Sequence, residues 1–257
     1  MRSSKTRKIK KQPPHPVDAG AQTLTSESPT QNLTLLALPP RELAVLEPHL
    51  EYVDLPQHQI LHEPGARIDF AYFLNRGLVS LVILTSDGKS VEVALVGKEG
   101  IVGTPLAVGF RRGPHRAIVQ IAGSGLRIKS DALESALSHA PELRALLNRY
   151  VLIQGMQVAQ IAACNRLHEI EQRLARWLLM CQDRIASDEL PITHEFLSQM
   201  LGAGRPSVSL AAGILQRAGL IENLRGVVRI VQRKALEESA CECYRAIQSF
   251  NFGVGTS

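Results

Sequence analysis

The stretch that decides the fold is residues 193–217, which read THEFLSQMLGAGRPSVSLAAGILQR. Thr193 is a good N-cap, and apolar residues three or four positions apart predict a helix with one buried face. Gly202-Ala203-Gly204 is a short turn of the length that helix-turn-helix units use. A second helix is predicted to begin at Arg205, with Pro206 in its first turn, where a missing N–H costs little. Its inward positions are Val208, Ala211, Ala212 and Leu215, which are small where the helices must cross closely.

The outward face of this second helix and the segment after it carry groups suited to DNA. Gly219 is predicted to end the helix, and Leu220–Glu222 and Val227–Val231 to form a hairpin, or wing, across Leu224-Arg225-Gly226. Residues 200–234 hold six basic side chains and one acidic one. A recognition helix enters the major groove by its N-terminal end, where an arginine can bind guanine O6 and N7. The candidate DNA-binding residues are Thr193, Arg205, Ser207, Ser209, Gln216, Arg217, Arg225 and Arg229.

The N-terminal half has a different pattern, of short β-type runs separated by turn signals. The candidate strands are Tyr52–Leu55, Gln59–Leu61, Phe70–Leu74, Val79–Thr85, Val91–Val96 and Ile118–Ile121. Asp87-Gly88 between two such runs is a strong hairpin signal, whereas Arg76-Gly77 is a further predicted break. Many short strands at this spacing predict a barrel or roll built from hairpins.

Helical periodicity then takes over. A short helix is predicted over Ser130–Leu137, and Pro141 begins a much longer one. Apolar residues occupy several faces of the long helix, so it must be covered on most sides. The roll can cover one side, and a second copy of the helix is the natural cover for the other. We therefore expect a parallel homodimer, with Asn165-Arg166 as the hinge to a second domain. The predicted dimer-interface residues are Leu147, Tyr150, Gln154, Val158 and Ile161.

These motifs resemble the cyclic-AMP receptor/fumarate–nitrate (Crp/Fnr) regulators over roughly residues 33–245. The likeness is carried by Leu61-His62-Glu63-Pro64-Gly65, Ala71-Tyr72-Phe73-Leu74, Gly77-Leu78-Val79-Ser80, Gly100-Ile101-Val102-Gly103, Arg173-Leu174-Ala175-Arg176-Trp177-Leu178 and Thr193–Leu215. It implies an α+β fold: a cyclic-nucleotide-binding-like β-roll, a long dimerisation helix and a C-terminal winged helix-turn-helix. It also implies a homodimer that binds a two-fold related double-stranded DNA site and contacts RNA polymerase.

Individual positions both match and depart from this family. Arg205 matches its guanine-reading arginine, Ser207 its phosphate-contacting threonine, and Ser209 a base-reading serine of one branch. Pro206 and Leu210 stand where the family has further base-reading residues, which predicts a different DNA sequence. In the effector pocket the matching residues are Gly103, Thr104 and Arg116; the carboxylate that would hold a ribose is absent. The sequence therefore identifies no cofactor. We expect that a small-molecule effector, where one binds, differs from cyclic AMP.

The predicted domains are a disordered basic tail (1–30), a β-roll sensor domain (31–138), a dimerisation helix (139–164) and a DNA-binding domain (165–250). The net charge of +5 resides in the tail, since residues 1–11 hold six basic side chains and no acidic one. Four cysteines without a closely spaced group predict reduced thiols in a cytoplasmic protein, with no metal site. No stretch is long and apolar enough to span a bilayer.

Catalysis is not expected. His168-Glu169 begins a zinc-protease-like motif, but Gln172 stands where its second histidine is required, and no nucleophile elbow, P-loop or dinucleotide motif occurs. The remaining alternative is a sensor or interaction protein of the same fold whose helix-turn-helix has lost DNA binding or binds DNA non-specifically.

Overall fold

The computed structural model describes residues 22–23 and 30–251. Its helices are α1 Leu33–Leu36, α2 Pro40–Leu46, α3 Thr104–Ala107, α4 Ser130–Leu137, α5 Pro141–Leu167, α6 Ile170–Ile185, α7 His194–Leu201, α8 Arg205–Arg217, α9 Arg233–Ser239 and α10 Cys243–Asn251. Its strands are β1 Gln22–Thr23, β2 Glu51–Leu55, β3 Ile60–His62, β4 Phe70–Leu84, β5 Ser90–Val96, β6 Ile101–Val102, β7 Arg116–Lys129, β8 Glu189–Leu190, β9 Ile221–Leu224 and β10 Val227–Ile230. A short 3-10 helix, Glu47–His49, precedes β2.

The N-terminal roll is an antiparallel sheet in the order β1-β2-β7-β4-β5, with β3 on β7 and β6 on β4. The predicted hairpin is confirmed, because β4 and β5 are joined through Asp87-Gly88, where Gly88 has φ 84°. Strand β1 falls inside the predicted tail of residues 1–30 and pairs with β2, which the sequence did not predict. Apart from β1 and residue 30, that tail lies outside the described residues.

Strand β4 is continuous where the sequence predicted two strands, and that prediction was wrong for a physical reason. Gly77 has φ 91°, and a Cβ at this position would lie 2.7 Å from the carbonyl oxygen of Ile121. The pairing of β4 with β7 shifts register between Leu74 and Val79. The glycine therefore lets two long strands approach closely through an irregularity, and the chain does not reverse there.

Helix α5 lies along the roll and buries one face against it. The buried residues are Leu143, Leu147, Tyr150, Ile153, Gln154, Gln157, Ile161 and Cys164. The absence of a side chain at Gly100 leaves room for the ring of Tyr150, since a Cβ on Gly100 would lie 2.0 Å from the ring carbon Cζ. The break to α6 comes at His168–Glu169, slightly later than the predicted hinge at 165–166. The side chains of Glu169 and Gln172 form a capping box that starts α6.

The C-terminal domain combines α6–α10 with a three-stranded sheet in the order β8-β10-β9. Its core is centred on the single tryptophan, Trp177, and extends to Leu78 and Leu95 of the roll. Trp177 Nε1 donates a hydrogen bond of 2.8 Å to Glu92 Oε1. Arg184 Nε pairs with Glu99 Oε1 at 2.8 Å. Gln57 Nε2 donates a further hydrogen bond of 3.3 Å to the backbone carbonyl of Pro191. The two domains therefore pack through a shared core with polar contacts around it.

The cysteines are arranged differently from the sequence-based expectation. All four are free thiols and buried. Cys164, Cys241 and Cys243 nevertheless form one cluster, because the end of α5 packs against the start of α10. Sequence spacing does not show this approach, since Cys164 and Cys241 are 77 positions apart. Cys181 belongs to the core around Trp177.

Candidate nucleic-acid interface

Helix α7 begins and ends as the sequence predicts. The side chain of Thr193 accepts a hydrogen bond of 3.2 Å from the backbone N–H of Phe196, which makes Thr193 the N-cap. Leu197, Met200 and Leu201 are buried, and Gly202 ends the helix in the left-handed conformation with φ 57°. The exposed Thr193 therefore holds the N-terminal turn of α7, a structural task that the assignment to DNA binding did not include.

Helix α8 crosses α6 and α7 closely. It starts at Arg205 with Pro206 in its first turn and runs to Arg217, as predicted. Its buried residues are Val208, Ala211, Ala212 and Leu215. Because two of these are alanines, the helix axes can approach without displacing larger side chains. The predicted helix-turn-helix is confirmed, with the opposite face of α8 free of the core.

The exposed face of α8 begins with an arginine. The Arg205 side chain is 67% exposed, and its Nη1 lies 3.6 Å from Glu195 Oε2, an exposed and therefore weak ion pair. Ser207 and Arg217 are exposed on the same helix. Leu210 is also exposed, to 60%, which is high for a large apolar side chain. This face offers a cation, a hydroxyl and an apolar group to a partner.

Two of the predicted DNA-binding residues, Ser209 and Gln216, are held in a polar network within the domain. His194 Nδ1 lies 3.2 Å from Ser209 Oγ, and His194 Nε2 lies 3.1 Å from Asn223 Oδ1. Gln216 Oε1 accepts hydrogen bonds from the backbone N–H of Asn223 at 2.9 Å and from its Nδ2 at 2.7 Å. The network joins α7, α8 and β9. His194 and Asn223 were not among the predicted residues, because no local sequence pattern shows that they meet.

The wing is a tight hairpin of β9 and β10. Leu224 pairs with Val227, so the turn is Arg225–Gly226, one residue shorter than predicted, and Gly226 has φ 76°. Strand β8 adds a third strand on the far side of β10. Arg225 is exposed at the tip. The wing therefore presents Arg225 away from the body of the domain.

Arg229 is placed differently from Arg225. Its Nη2 lies 2.7 Å from Glu189 Oε1, and its Nη1 lies 3.0 Å from Glu222 Oε2. The hydrogen bond to Glu189 is the main cause that raises the pKa of Arg229. Two carboxylates therefore hold this guanidinium across the sheet, and the contact of Arg229 with DNA stays a prediction.

The predicted effector-pocket residues each contact other parts of the chain. Thr104 Oγ1 donates a hydrogen bond of 2.7 Å to Gln154 Oε1, which ties α3 to α5. Arg116 forms a bidentate pair with Glu63, with Nε–Oε2 at 2.8 Å and Nη2–Oε1 at 2.9 Å. Gly103 adopts φ 102° and passes close to Ala71. Within the described residues, the buried Nε2 of Gln154 has no hydrogen-bond partner.

The predicted dimer-interface residues lie on the wrong face of α5. Leu147, Tyr150, Gln154 and Ile161 are buried inside the chain, and Val158 packs against the roll. The sequence pattern could not distinguish a face covered by the roll from one covered by another chain. The exposed apolar residues of α5 include Leu152, Met156, Ala159, Ala162 and Ala163 along its second half, with Ala145 and Leu167 nearer its two ends. None of the helices in the described part of the chain has the length and apolar character needed to cross a membrane.

Comparisons with known proteins agree with this architecture. Residues 52–140 match the cyclic nucleotide-binding domain, and residues 172–239 match the Crp-like helix-turn-helix domain. Transcriptional regulator SdrP of Thermus thermophilus is 28% identical over 185 residues, covering 69% of this chain and 86% of SdrP. Transcriptional activator protein FnrL of Cereibacter sphaeroides is 26% identical over 215 residues, covering 77% of this chain and 84% of FnrL.

Solved structures show the same fold. FixK2 from Bradyrhizobium japonicum superposes with a TM-score of 0.65 at 16% identity, covering 75% of this chain and 98% of FixK2. TTHB099, a CRP-family transcriptional regulator from Thermus thermophilus, superposes with a TM-score of 0.60 at 24% identity. The match covers 73% of this chain and 96% of the TTHB099 chain. With a nucleotide-binding roll and a Crp-like helix-turn-helix in one chain, the protein belongs to the Crp/Fnr family of transcriptional regulators.

Proposed function

We propose that this regulator binds specific DNA sequences by inserting the N-terminal end of α8 into the major groove. The observation that carries the proposal is Arg205, which is the first residue of α8 and is exposed, with only a loose contact to Glu195. A guanidinium in this place can bind guanine O6 and N7 together. Exposed Ser207 and the N-terminal backbone amides of α8 suit a neighbouring phosphate.

The DNA sequence that this protein binds should differ from the one read by the family's usual recognition-helix residues. Pro206 has no N–H and no polar side chain, so it forms no hydrogen bond to a base. Leu210 is exposed on the same face and suits the methyl group of thymine, which is an apolar contact in the major groove. We therefore expect half-sites with a guanine opposite Arg205 and a thymine within reach of Leu210.

A second copy of the chain is proposed to cover the exposed face of α5. Leu152 and Met156 are 65% and 38% exposed, which is unusual for large apolar side chains on a long helix. Ala159 and Ala163 follow each of them after seven residues, the repeat of a parallel coiled coil. Such a homodimer would bind two DNA half-sites whose centres are separated by one helical turn of DNA or a multiple of it.

Contact with RNA polymerase in the cytoplasm is proposed from the family and from the activator FnrL.

The effector is proposed to be something other than cyclic AMP. The arginine expected to meet a cyclic phosphate, Arg116, already forms a bidentate pair with Glu63. Thr104 replaces the carboxylate that would hold the ribose, and its hydroxyl is bonded to Gln154. An anion would have to compete with Glu63 for Arg116, which disfavours a cyclic nucleotide.

Selection of bound sites from random duplex DNA tests these proposals together. We expect enrichment of a two-fold symmetric site, with the same sequence and yield whether or not cyclic AMP is present. Recovery of unselected DNA would instead support a sensor that binds DNA non-specifically or has lost DNA binding. A yield that rises with cyclic AMP would contradict the proposed effector class.

A further inference from the structure

Four metal-binding side chains converge at the junction between α5 and the C-terminal domain. Cys164 lies near the end of α5 and His168 in the break before α6. Cys241 lies two residues before α10, and Cys243 is the first residue of α10. One ligand atom from each side chain lies within 4.8 Å of the other three. Cys164 Sγ and Cys241 Sγ are 3.4 Å apart, and Cys243 Sγ lies 3.6 Å from His168 Nδ1.

These separations suit a single tetrahedral ion. Zinc–sulfur bonds of about 2.3 Å and zinc–nitrogen bonds of about 2.0 Å place neighbouring ligand atoms roughly 3.5–3.8 Å apart. The sulfurs of Cys164 and Cys241 are too far apart for a disulfide, whose bond is about 2.05 Å long. An iron–sulfur cluster would hold its thiolates further apart than one ion does, because each thiolate binds a different iron. We propose that Cys164, His168, Cys241 and Cys243 bind one structural zinc ion.

The surroundings of the four ligands support this assignment. The other ring nitrogen of His168, Nε2, lies 3.1 Å from Glu242 Oε1. A carboxylate in that place orients a metal-binding imidazole and directs Nδ1 toward the ion. Gln160 Nε2 donates a hydrogen bond of 3.1 Å to Cys243 Sγ, as suits a thiolate. Both partners would serve a metal site.

A buried arginine supplies the charge that such a site needs. Three thiolates and one zinc ion leave a single negative charge, with the histidine neutral. Arg176 is 2% exposed, and within the described residues it forms no ion pair; its Nε has no hydrogen-bond partner. Arg176 lies close enough to Cys164 for its positive charge to act on the Cys164 sulfur. An anionic zinc centre would supply a counter-charge for this buried guanidinium.

The proposed ion would tie three elements together. It would link α5, the α5–α6 junction and α10 at the point where the DNA-binding domain joins the rest of the chain. Because all four positions are filled by protein side chains, the site leaves no open position for substrate, which is typical of a structural ion.

Metal analysis of the full chain purified with a reductant is the direct test. We expect one zinc per chain in the wild type and in Cys181→Ser, whose thiol lies outside the cluster, and loss of zinc in Cys241→Ser. In Glu242→Gln the zinc dissociation constant, measured against a chromophoric chelator, should rise about 10–100-fold. Equal metal content in Cys181→Ser and Cys241→Ser would overturn the assignment.

Cobalt(II) provides a measurement that needs no variant. After chelation of the wild type, added cobalt(II) should give the visible bands and thiolate charge-transfer absorption of a tetrahedral sulfur-rich site, and zinc should abolish them. An octahedral cobalt spectrum would overturn the proposal. So would stoichiometric iron and sulfide, or a Cys164–Cys241 disulfide in protein without metal.

Discussion

At the scale of single residues, Arg225 and Arg229 of the wing differ in what surrounds them. Arg225 is exposed at the turn, whereas Arg229 is held by Glu189 and Glu222. Each lysine or arginine that neutralises a phosphate contributes about 0.9 to the slope of log affinity against log salt.

We therefore expect Arg225→Ala to lower DNA affinity for all sequences and to reduce that slope by about 0.9. Arg229→Ala is the matched control and should leave the slope unchanged, because its charge is already paired. Titrations of one duplex at several salt concentrations measure both. The same change of slope in the two variants would mean that Arg229 leaves its carboxylates on binding.

The role of a residue was predictable from the sequence where it depends only on neighbouring positions in the chain. The helix start at Arg205 and the inward positions of α8 follow from spacing and propensity, and both are confirmed. The engagement of Gln216 by Asn223 depends on where β9 returns against α8, which no local pattern encodes. For the same reason the sequence did not show that Arg116 forms an ion pair with Glu63.

At the scale of elements, α5 is the part whose partners matter most. Its inner face is fixed by the roll, and its outer face carries Leu152 and Met156 exposed. Gly155 lies between them, and a Cβ there would have nothing within 4 Å in this chain. The outer face is therefore open to close approach by another helix.

Leu152→Glu should convert the proposed dimer into monomers, because it places a charge in the middle of an apolar seam. Sedimentation equilibrium measures the mass, and Leu152→Met is the control that keeps the apolar character. A dimer that persists in Leu152→Glu would show that α5 is not the interface.

Element types were well predicted, and the errors have a common cause. The two predicted strands around Arg76-Gly77 proved to be one, because Gly77 serves the close packing of β4 on β7. The predicted interface face of α5 was wrong, because the roll and a second chain require the same apolar residues. In both cases contacts between distant segments decided what local sequence left open.

At the scale of the whole molecule, the roll and the DNA-binding domain meet at a buried carboxyl. Glu92 is 3% exposed and accepts hydrogen bonds from Ser80 and Trp177. Burial raises its pKa from 4.5 to about 7. The folded protein therefore binds this proton more tightly than the unfolded chain does.

Protonated Glu92 should stabilise the fold fully below about pH 4.5, and this contribution should be lost as the pH rises through about 7. The change in unfolding free energy is on the order of 3 kcal/mol. Denaturation of wild type and Glu92→Gln across this range isolates it, since glutamine keeps the shape but does not titrate. Parallel pH profiles of the two proteins would contradict the assignment, and fluorescence of Trp177 gives an independent titration.

DNA reading by the N-terminal end of α8 is tested by a fluorescence anisotropy titration of Arg205→Ala against the selected DNA site and a scrambled duplex. We expect a loss of about 1–3 kcal/mol at the selected site, roughly 5- to 150-fold in affinity, because the guanine contact is removed. Arg205→Lys, which keeps the charge but not the planar fork, should retain scrambled-site affinity and still lose discrimination. Unchanged discrimination between the two duplexes in Arg205→Ala would contradict DNA reading by the N-terminal end of α8.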